Sequence, residues 1–162
     1  MLVIREATST DAELLVTMIR EFAEFERQLE HVTITPNDLE RDAFATGSRV
    51  RALVAEWDGH PAGYAIYFFT YSTWVGRHSL FVEDIYVRDQ FRGKGIGKAL
   101  MKRMAAIAEK QSCYGMRWEV LDWNTPAIDF YRSLGAELQR EWLPVLFSGD
   151  RFKEFARGND ER

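Results

Sequence analysis

Three alternating glycines form the segment of this sequence with the clearest capacity for chemistry. Gly93, Gly95 and Gly97 follow an apolar run that predicts a strand, and they precede a pattern that predicts a helix. Glycines let the backbone approach a ligand closely, and a helix N-terminus offers unpaired N–H groups and a positive dipole end. Basic residues flank the turn at Arg92, Lys94 and Lys98. The pattern indicates a phosphate or pyrophosphate cradle, which we favour over a tight connection without a ligand.

The two common phosphate-binding motifs do not match this turn. The dinucleotide pattern Gly-x-Gly-x-x-Gly fails because the glycines alternate, and it would be expected after a first strand. The P-loop pattern fails because Lys98 is followed by Ala99 instead of Ser or Thr.

Two adjacent acids interrupt an apolar stretch just before the glycines. Glu83 and Asp84 lie within residues 80–87, which otherwise predict a buried strand. Alternation along a strand places these neighbours on opposite faces, so they are expected to have different roles. Because buried acids are unfavourable without partners, the pair is a hint of function.

A polar pair lies in a later helix. Tyr131 follows Asn124 by seven positions, about two helical turns, so both can share one face. Tyr131 could donate a proton or simply pack in the core, and Asn124 could simply cap the helix. The single cysteine, Cys113, is expected to be a small buried apolar residue. The histidines are too scattered to predict a metal site: His31, His60 and His78.

The elements that must position these residues alternate between the two regular types. Helical periodicity covers residues 11–25, a short segment from Thr35 to Gly47, residues 96–108 and residues 124–134. Strand-like segments cover residues 2–7, 51–57, 62–71, 80–87 and 116–121, and two more short strands are expected around Leu138 and Leu146. The order predicts an α+β fold on a mixed sheet.

Composition excludes several classes of protein. The chain has 162 residues, a net charge of −4 and 46% hydrophobic residues, which predicts one domain over residues 1–162. The charge lacks the basic footprint of a nucleic-acid-binding protein. No apolar run approaches the ~20 residues of a membrane helix, and no signal peptide is recognisable. One cysteine allows no internal disulfide, so we expect a cytoplasmic protein.

Several stretches together resemble the GNAT superfamily of N-acetyltransferases. Arg92-x-x-Gly95-x-Gly97 at a strand-to-helix junction is similar to its acetyl-CoA signature. The surrounding stretches look like the diamine acetyltransferase branch, which includes spermidine/spermine and thialysine N-acetyltransferases: residues 69–74, 82–87, 91–97 and 120–136. The resemblance implies a mixed, mostly antiparallel sheet of about seven strands with a V-shaped splay, about four flanking helices, and a homodimer.

The resemblance also implies acetyl-CoA as the acetyl donor, without a metal. Backbone groups at Ile85 and Val87 would bond the pantetheine arm, and Tyr86 between them belongs to the same edge. Backbone N–H groups of one continuous segment would hold the pyrophosphate: Arg92, Gly93, Lys94, Gly95, Ile96, Gly97 and Lys98. Asn124 and Tyr131 would also contact the cofactor.

Acetyl transfer to an amine requires a base for the ammonium and an acid for the leaving thiolate. The resemblance implies Glu83 as the base, directly or through water, and Tyr131 as the acid. Asp84 would bind at the substrate side or pair with an Arg or a backbone N–H. Because no cysteine is placed for a covalent route, we expect direct attack of the amine in a ternary complex.

The amine pocket is implied by further matches to the family. They are Phe25, Glu26, Glu30, Tyr71 and Trp74, together with Glu83 and Asp84. Aromatic faces and carboxylates suit a protonated amine, although each acid alone could be a solvated surface residue.

The sequence departs from the polyamine-acetylating members at the pocket. Ser72-Thr73 replaces their Asp-Pro, Arg27 replaces an aromatic residue, and Leu29 replaces an acid. Fewer carboxylates favour a thialysine-like or lysine-like amino acid, or a shorter amine, over spermine. Two alternatives stay open: a non-catalytic CoA-binding sensor, and an acetyltransferase acting on protein lysines.

Overall fold

The structure is a computed structural model that describes residues 1–158. The predicted domain boundary at residue 162 therefore lies outside the described residues. The chain divides into two compact units, Met1–Glu119 and the segment from Val120 onward. Within residues 1–158, no helix has the length and apolar character needed to cross a membrane.

The first unit contains a five-stranded sheet with the strands in sequence order. The strands are β1 (Leu2–Glu6), β2 (Arg51–Trp57), β3 (His60–Ser72), β4 (Arg77–Val87) and β5 (Met116–Trp118). Successive pairs from β1 to β4 are antiparallel, and β4 pairs with β5 in parallel. The prediction of a mixed, mostly antiparallel sheet is confirmed.

Five α-helices accompany the sheet in the described chain. They are α1 (Ala12–Phe25), α2 (Pro36–Leu39), α3 (Ile96–Lys110), α4 (Thr125–Ser133) and α5 (Gly149–Ala156). A π-helical turn, Glu40–Phe44, continues α2. The short helix predicted to run to Gly47 therefore consists of one α-helical turn and one π-helical turn.

The predicted number of strands is wrong, and so is the predicted number of helices. Leu138 and Leu146 lie outside any strand, and α5 is an additional helix. Apolar residues alone do not make a strand, because a strand also needs a hydrogen-bonded neighbour. The side chains around the second of these predicted strands are exposed, with Val145 91% and Leu146 86% accessible. The strand predicted over residues 116–121 ends at Trp118.

Both faces of the central sheet are covered in the first unit. On one face, α1 contributes Leu15 and Met18 to a core with Tyr64 and Ile66 of β3. On the other face, side chains of α3 such as Leu100 are buried in the core. Because both faces are covered, β2 shows a continuous run of buried side chains at residues 52–55 instead of an alternation.

A charged cluster ties β1 to the start of α1. The Arg5 guanidinium donates two hydrogen bonds of 2.8 Å to the Asp11 carboxylate and one of 2.9 Å to Glu56. Asp11 also accepts from the backbone N–H of Thr8, which fixes the entry to α1. The Arg5 guanidinium lowers the pKa of Asp11 to about 2. The ionised carboxylate of Asp11 is thus part of the fold.

Candidate active site

Strand β4 loses its neighbour β5 halfway along its length. The β4–β5 register ends at the pair Val82–Trp118, whereas β4 continues to Val87. The backbone N–H of Arg88 donates to the Ala62 carbonyl at 2.9 Å. Hydrogen-bonded and non-bonded pairs alternate in an antiparallel ladder, so the backbone groups of Ile85 and Val87 point away from β3. The edge named for pantetheine binding is therefore not covered by β5.

A β-bulge inserts Glu83 into β4. Ile66 pairs with Asp84 and the next residue, Tyr67, pairs with Val82, so Glu83 is the extra residue between them. The prediction that Glu83 and Asp84 lie on opposite faces assumed unbroken alternation, which a bulge interrupts. The structure places this irregularity at the candidate base.

Asp84 has a different partner from the one expected. Its Oδ2 accepts a hydrogen bond from the Tyr64 hydroxyl at 3.1 Å, so the predicted pairing with an Arg or a backbone N–H is wrong. Burial raises the pKa of Asp84 to about 6, and the nearby charges of Glu83 and Glu26 act in the same direction. Nothing in the sequence singles out Tyr64, since an aromatic residue in a strand indicates only core packing.

Three of the candidate acids, Glu26, Glu83 and Asp84, lie close enough for their charges to interact. Glu26 follows the last residue of α1, and burial raises its pKa. Its charge acts on both Asp84 and Tyr64. Glu30, in contrast, is exposed in a 3₁₀ turn next to His31. The carboxylates of Glu26, Glu83 and Asp84 form one acidic cluster at the end of α1, and Glu30 has no part in it.

The glycine-rich turn has the geometry of an anion cradle. Gly93 and Gly95 have φ values of 75° and 78°, in the left-handed region that favours glycine. A Cβ at either position would meet no atom within 4 Å, so the space beside the loop is open. Gly95 caps α3, and Ile96, only 1% exposed, anchors its first turn. The free N–H groups of this turn can bind a phosphate.

The basic residues of the loop have different surroundings. Arg92 pairs with Asp89 at 2.8 Å, donates to the Val87 carbonyl at 3.1 Å and lies 4.7 Å from the Phe25 ring centroid. Arg92 thus joins the loop to the end of β4 and to α1.

The ammonium groups of Lys94 and Lys98 also have different surroundings. The Lys94 ammonium lies 5.0 Å from the Trp57 ring centroid and 5.2 Å from that of Phe91. Lys98 is exposed on the first turn of α3 and forms no ion pair or ring contact with the rest of residues 1–158. Its charge is therefore available for an anion at this loop.

Tyr71 and Trp74 lie at the tip of the β3–β4 hairpin. Tyr71 pairs with His78, and their ring centroids are 5.1 Å apart. Trp74 is 86% exposed in the turn. Along β4, His78 and Glu83 are separated by roughly 17 Å at the rise of an extended strand. Within the chain, the hairpin aromatics and the acidic cluster are therefore not brought together.

In the second unit, Asn124 caps α4 as expected. Its Oδ1 accepts a hydrogen bond from the backbone N–H of Ala127 at 3.3 Å, and its side chain is buried. Tyr131 lies in the last turns of α4, with its ring centroid 5.3 Å from that of Phe130. The separation of seven residues puts Asn124 and Tyr131 on the same side of this helix.

The second unit also exposes many large apolar side chains. Trp142 is 63%, Leu143 83% and Phe147 52% accessible, in addition to Val145 and Leu146. The Phe147 ring contacts rings of α5, which are themselves half exposed. We call residues 142–155 the apolar segment. Exposed apolar surface of this kind often marks an interaction site.

An open β4 edge leading to a glycine-rich helix start is the arrangement expected of an acetyl-CoA-dependent acyltransferase. The model of the acetyltransferase (GNAT) family matches residues 15–136, and the chain belongs to this family. It is therefore an enzyme of the acyltransferase class.

Individual relatives show which proteins the chain resembles in sequence and in fold. The chain is 40% identical to thialysine N-epsilon-acetyltransferase of Mus musculus, with 94% of this chain and 96% of the relative covered. It is 34% identical to the enzyme of the same name in Caenorhabditis elegans, with 92% and 93% covered. Among solved structures, an integron cassette protein of V. cholerae has a TM-score of 0.80 at 26% identity, covering 96% of this chain and 98% of the other.

Proposed function

We propose that this enzyme transfers the acetyl group of acetyl-CoA to a primary amine of a small molecule. The observation that carries the proposal is the continuity of three features in the first unit. These are the β4 edge beyond Val82, the left-handed glycines that open α3, and the acidic cluster of Glu26, Glu83 and Asp84. The first two suit a phosphorylated cofactor, and the third suits a cation.

The residues present fit acetyl-CoA. Backbone groups of Ile85 and Val87 would hold the pantetheine arm, with Tyr86 between them. The N–H groups of the loop and the Lys98 ammonium would hold the pyrophosphate. Lys94 would contribute through its backbone, because its ammonium is already held by two aromatic rings. Acetyl-CoA supplies an acetyl group activated as a thioester.

The reaction needs two proton transfers. The acceptor ammonium would lose a proton to Glu83, directly or through water, and its nitrogen would form a bond to the acetyl carbon. The carbon–sulfur bond would break, and Tyr131 would give a proton to the departing thiolate. Cys113 has no part in this route, because burial raises the pKa of its thiol and makes it a poor nucleophile.

The acceptor is proposed to be a lysine-like or thialysine-like amino acid. Two relatives that match over nearly their full length carry the name thialysine N-epsilon-acetyltransferase. Ser72-Thr73 and Leu29 leave fewer carboxylates than a long polycation needs. The acidic cluster would attract the ammonium of the acceptor, and Phe25 would contribute an aromatic face.

Thiol release from acetyl-CoA tests the proposal. The amine panel contains thialysine, lysine, putrescine, spermidine, an aminoglycoside and a peptide lysine. Turnover with the amino acids and little turnover with the peptide supports the proposal, and preference for the peptide indicates a protein acetyltransferase. CoA binding without turnover on any amine favours the sensor alternative.

The role of Tyr131 is tested by Tyr131→Phe. Loss of a general acid lowers kcat by roughly 10²–10⁴-fold, while acetyl-CoA binding is retained. Tyr114→Phe is the control, since Tyr114 lies on the first unit and is 40% exposed. Unchanged turnover in Tyr131→Phe removes this residue from the mechanism.

We also propose that the enzyme is a homodimer. The exposed apolar segment supports the proposal, because a second copy could cover these side chains. Light scattering during gel filtration gives the mass directly. Leu146→Asp and Val145→Asp are expected to shift a dimer towards monomer, and a monomeric wild-type protein refutes the proposal.

A further inference from the structure

Tyr64 is a buried residue whose hydroxyl has a specific task in the acidic cluster. Its side chain has 0% exposure, and its hydroxyl donates to Oδ2 of Asp84. Its ring centroid lies 6.2 Å from that of Tyr86, which in turn lies 5.7 Å from that of Phe22 on α1. Packing therefore fixes the ring, and the fixed ring fixes the direction from which the hydroxyl reaches Asp84.

Asp84 faces like charges from two sides. Glu83 is its neighbour on β4, and Glu26 approaches from the end of α1. Among the described residues, the Tyr64 hydroxyl is the one group that lowers the pKa of Asp84, against burial and both carboxylates. The pKa of Tyr64 is itself raised far above its usual value, so this hydroxyl stays a donor.

The hydrogen bond uses only one oxygen of the carboxylate. Oδ2 accepts from Tyr64, and Oδ1 accepts no hydrogen bond from the rest of residues 1–158. A carboxylate with one fixed and one open oxygen can receive an N–H donor in a defined direction. A protonated Asp84 would lack the charge that attracts an ammonium.

We propose that Tyr64 is a positioning residue, which keeps Asp84 as an oriented carboxylate at neutral pH so that its open oxygen binds the cationic amine acceptor. The inference rests on the proposed amine acetyltransferase activity. It assigns acceptor binding to Asp84 and makes a residue of the hydrophobic core responsible for its charge.

The first test measures the carboxylate without turnover. The carbon-13 signal of the Asp84 carboxyl group, assigned with Asp84→Asn, is followed against pH in wild type and Tyr64→Phe. Loss of one hydrogen bond to a charged group is expected to raise the apparent pKa by about one unit. Tyr67→Phe is the matched control, because Tyr67 is also a buried β3 tyrosine but does not bond to Asp84. An unchanged Asp84 titration in Tyr64→Phe overturns the proposal.

The second test adds the acceptor. Thialysine at pH 6.5 should shift the Asp84 signal in wild type and shift it less in Tyr64→Phe. In turnover, the acidic limb of kcat/KM against pH should move upward by the same one unit or so in Tyr64→Phe and recover wild-type values at high pH. A purely structural role would instead lower kcat/KM at every pH.

The outcomes separate the two proposals. A wild-type protein that acetylates no amine refutes the proposed function, but the Asp84 signal still reports whether the amine binds there. Turnover of thialysine without any response of Asp84 to the amine overturns the inference and leaves the proposed function standing.

Discussion

Replacing Gly63 by alanine is expected to force β3 and β4 apart beside the proposed pantetheine edge. A Cβ at Gly63 would lie 2.4 Å from the carbonyl oxygen of Tyr86 and 3.2 Å from the Cα of Val87. A carbon–oxygen contact relaxes at roughly 3.3 Å, so the backbone must move by nearly 1 Å. Because the obstacle is backbone, no side-chain rotation relieves it. Overpacking of this kind destabilises a fold by about 1–3 kcal/mol, and we expect the upper half of that range.

Urea unfolding measures the loss of stability, and calorimetric titration with CoA measures the effect on the edge. Gly115→Ala is the matched control, since a Cβ there meets no atom within 4 Å. The control should be neutral or stabilising by up to about 1 kcal/mol through the unfolded state. If Gly63→Ala matches Gly115→Ala in both stability and CoA affinity, β3 and β4 do not approach as closely as the structure shows.

Asp11 and Asp84 have opposite pKa shifts, so replacing each by Asn should change the free energy of unfolding in opposite directions at neutral pH. Asp11→Asn is expected to destabilise the protein by roughly 2 kcal/mol at pH 7, since the pKa of Asp11 is lowered from 3.8 to about 2 by Arg5. This contribution is complete above the unfolded pKa and disappears as the pH falls through about 2, so urea unfolding at pH 7 and pH 2.5 should show a shrinking difference; a constant one contradicts the ion pair. Asp84→Asn should stabilise the protein by about 1–3 kcal/mol at pH 7.5, because the pKa of Asp84 is raised to about 6 and its ionised form is unfavourable in the fold. This gain should shrink as the pH falls below about 6 and vanish below about pH 3, where the carboxyl group is protonated in both states, and a gain that persists there would have another origin.

Elements with strong periodicity were predictable from the sequence. The prediction for β2 matches its observed bounds, and those for α1 and α3 lie within a few residues of theirs. These elements bury their apolar side chains within the first unit, so local pattern and tertiary packing agree. In the second unit, the apolar side chains around Leu146 are exposed, and the strand predicted there is wrong.

The site was predictable where backbone conformation is encoded by glycine. Gly93 and Gly95 adopt the left-handed conformations that such a turn requires. The environment of the acids was not predictable in the same way. The hydrogen bond from Tyr64 to Asp84 joins residues 20 positions apart, and its existence depends on the β3–β4 register. Nor does the sequence indicate that Trp57 would hold the Lys94 ammonium.

The bulge at Glu83 constrains how this protein can vary over evolution. Substitution at position 83 changes a side chain but leaves the register of β4 intact. Deletion of Glu83 would make Ile66–Asp84 and Tyr67–Val82 consecutive pairs of a regular ladder, so residues 77–82 would keep their register against β3 while the bulge itself would be lost. The sheet could accommodate this deletion, but β4 would lose the local bend that a bulge produces beside the acidic cluster, so functional variants should keep the strand length even where the acid itself is replaced.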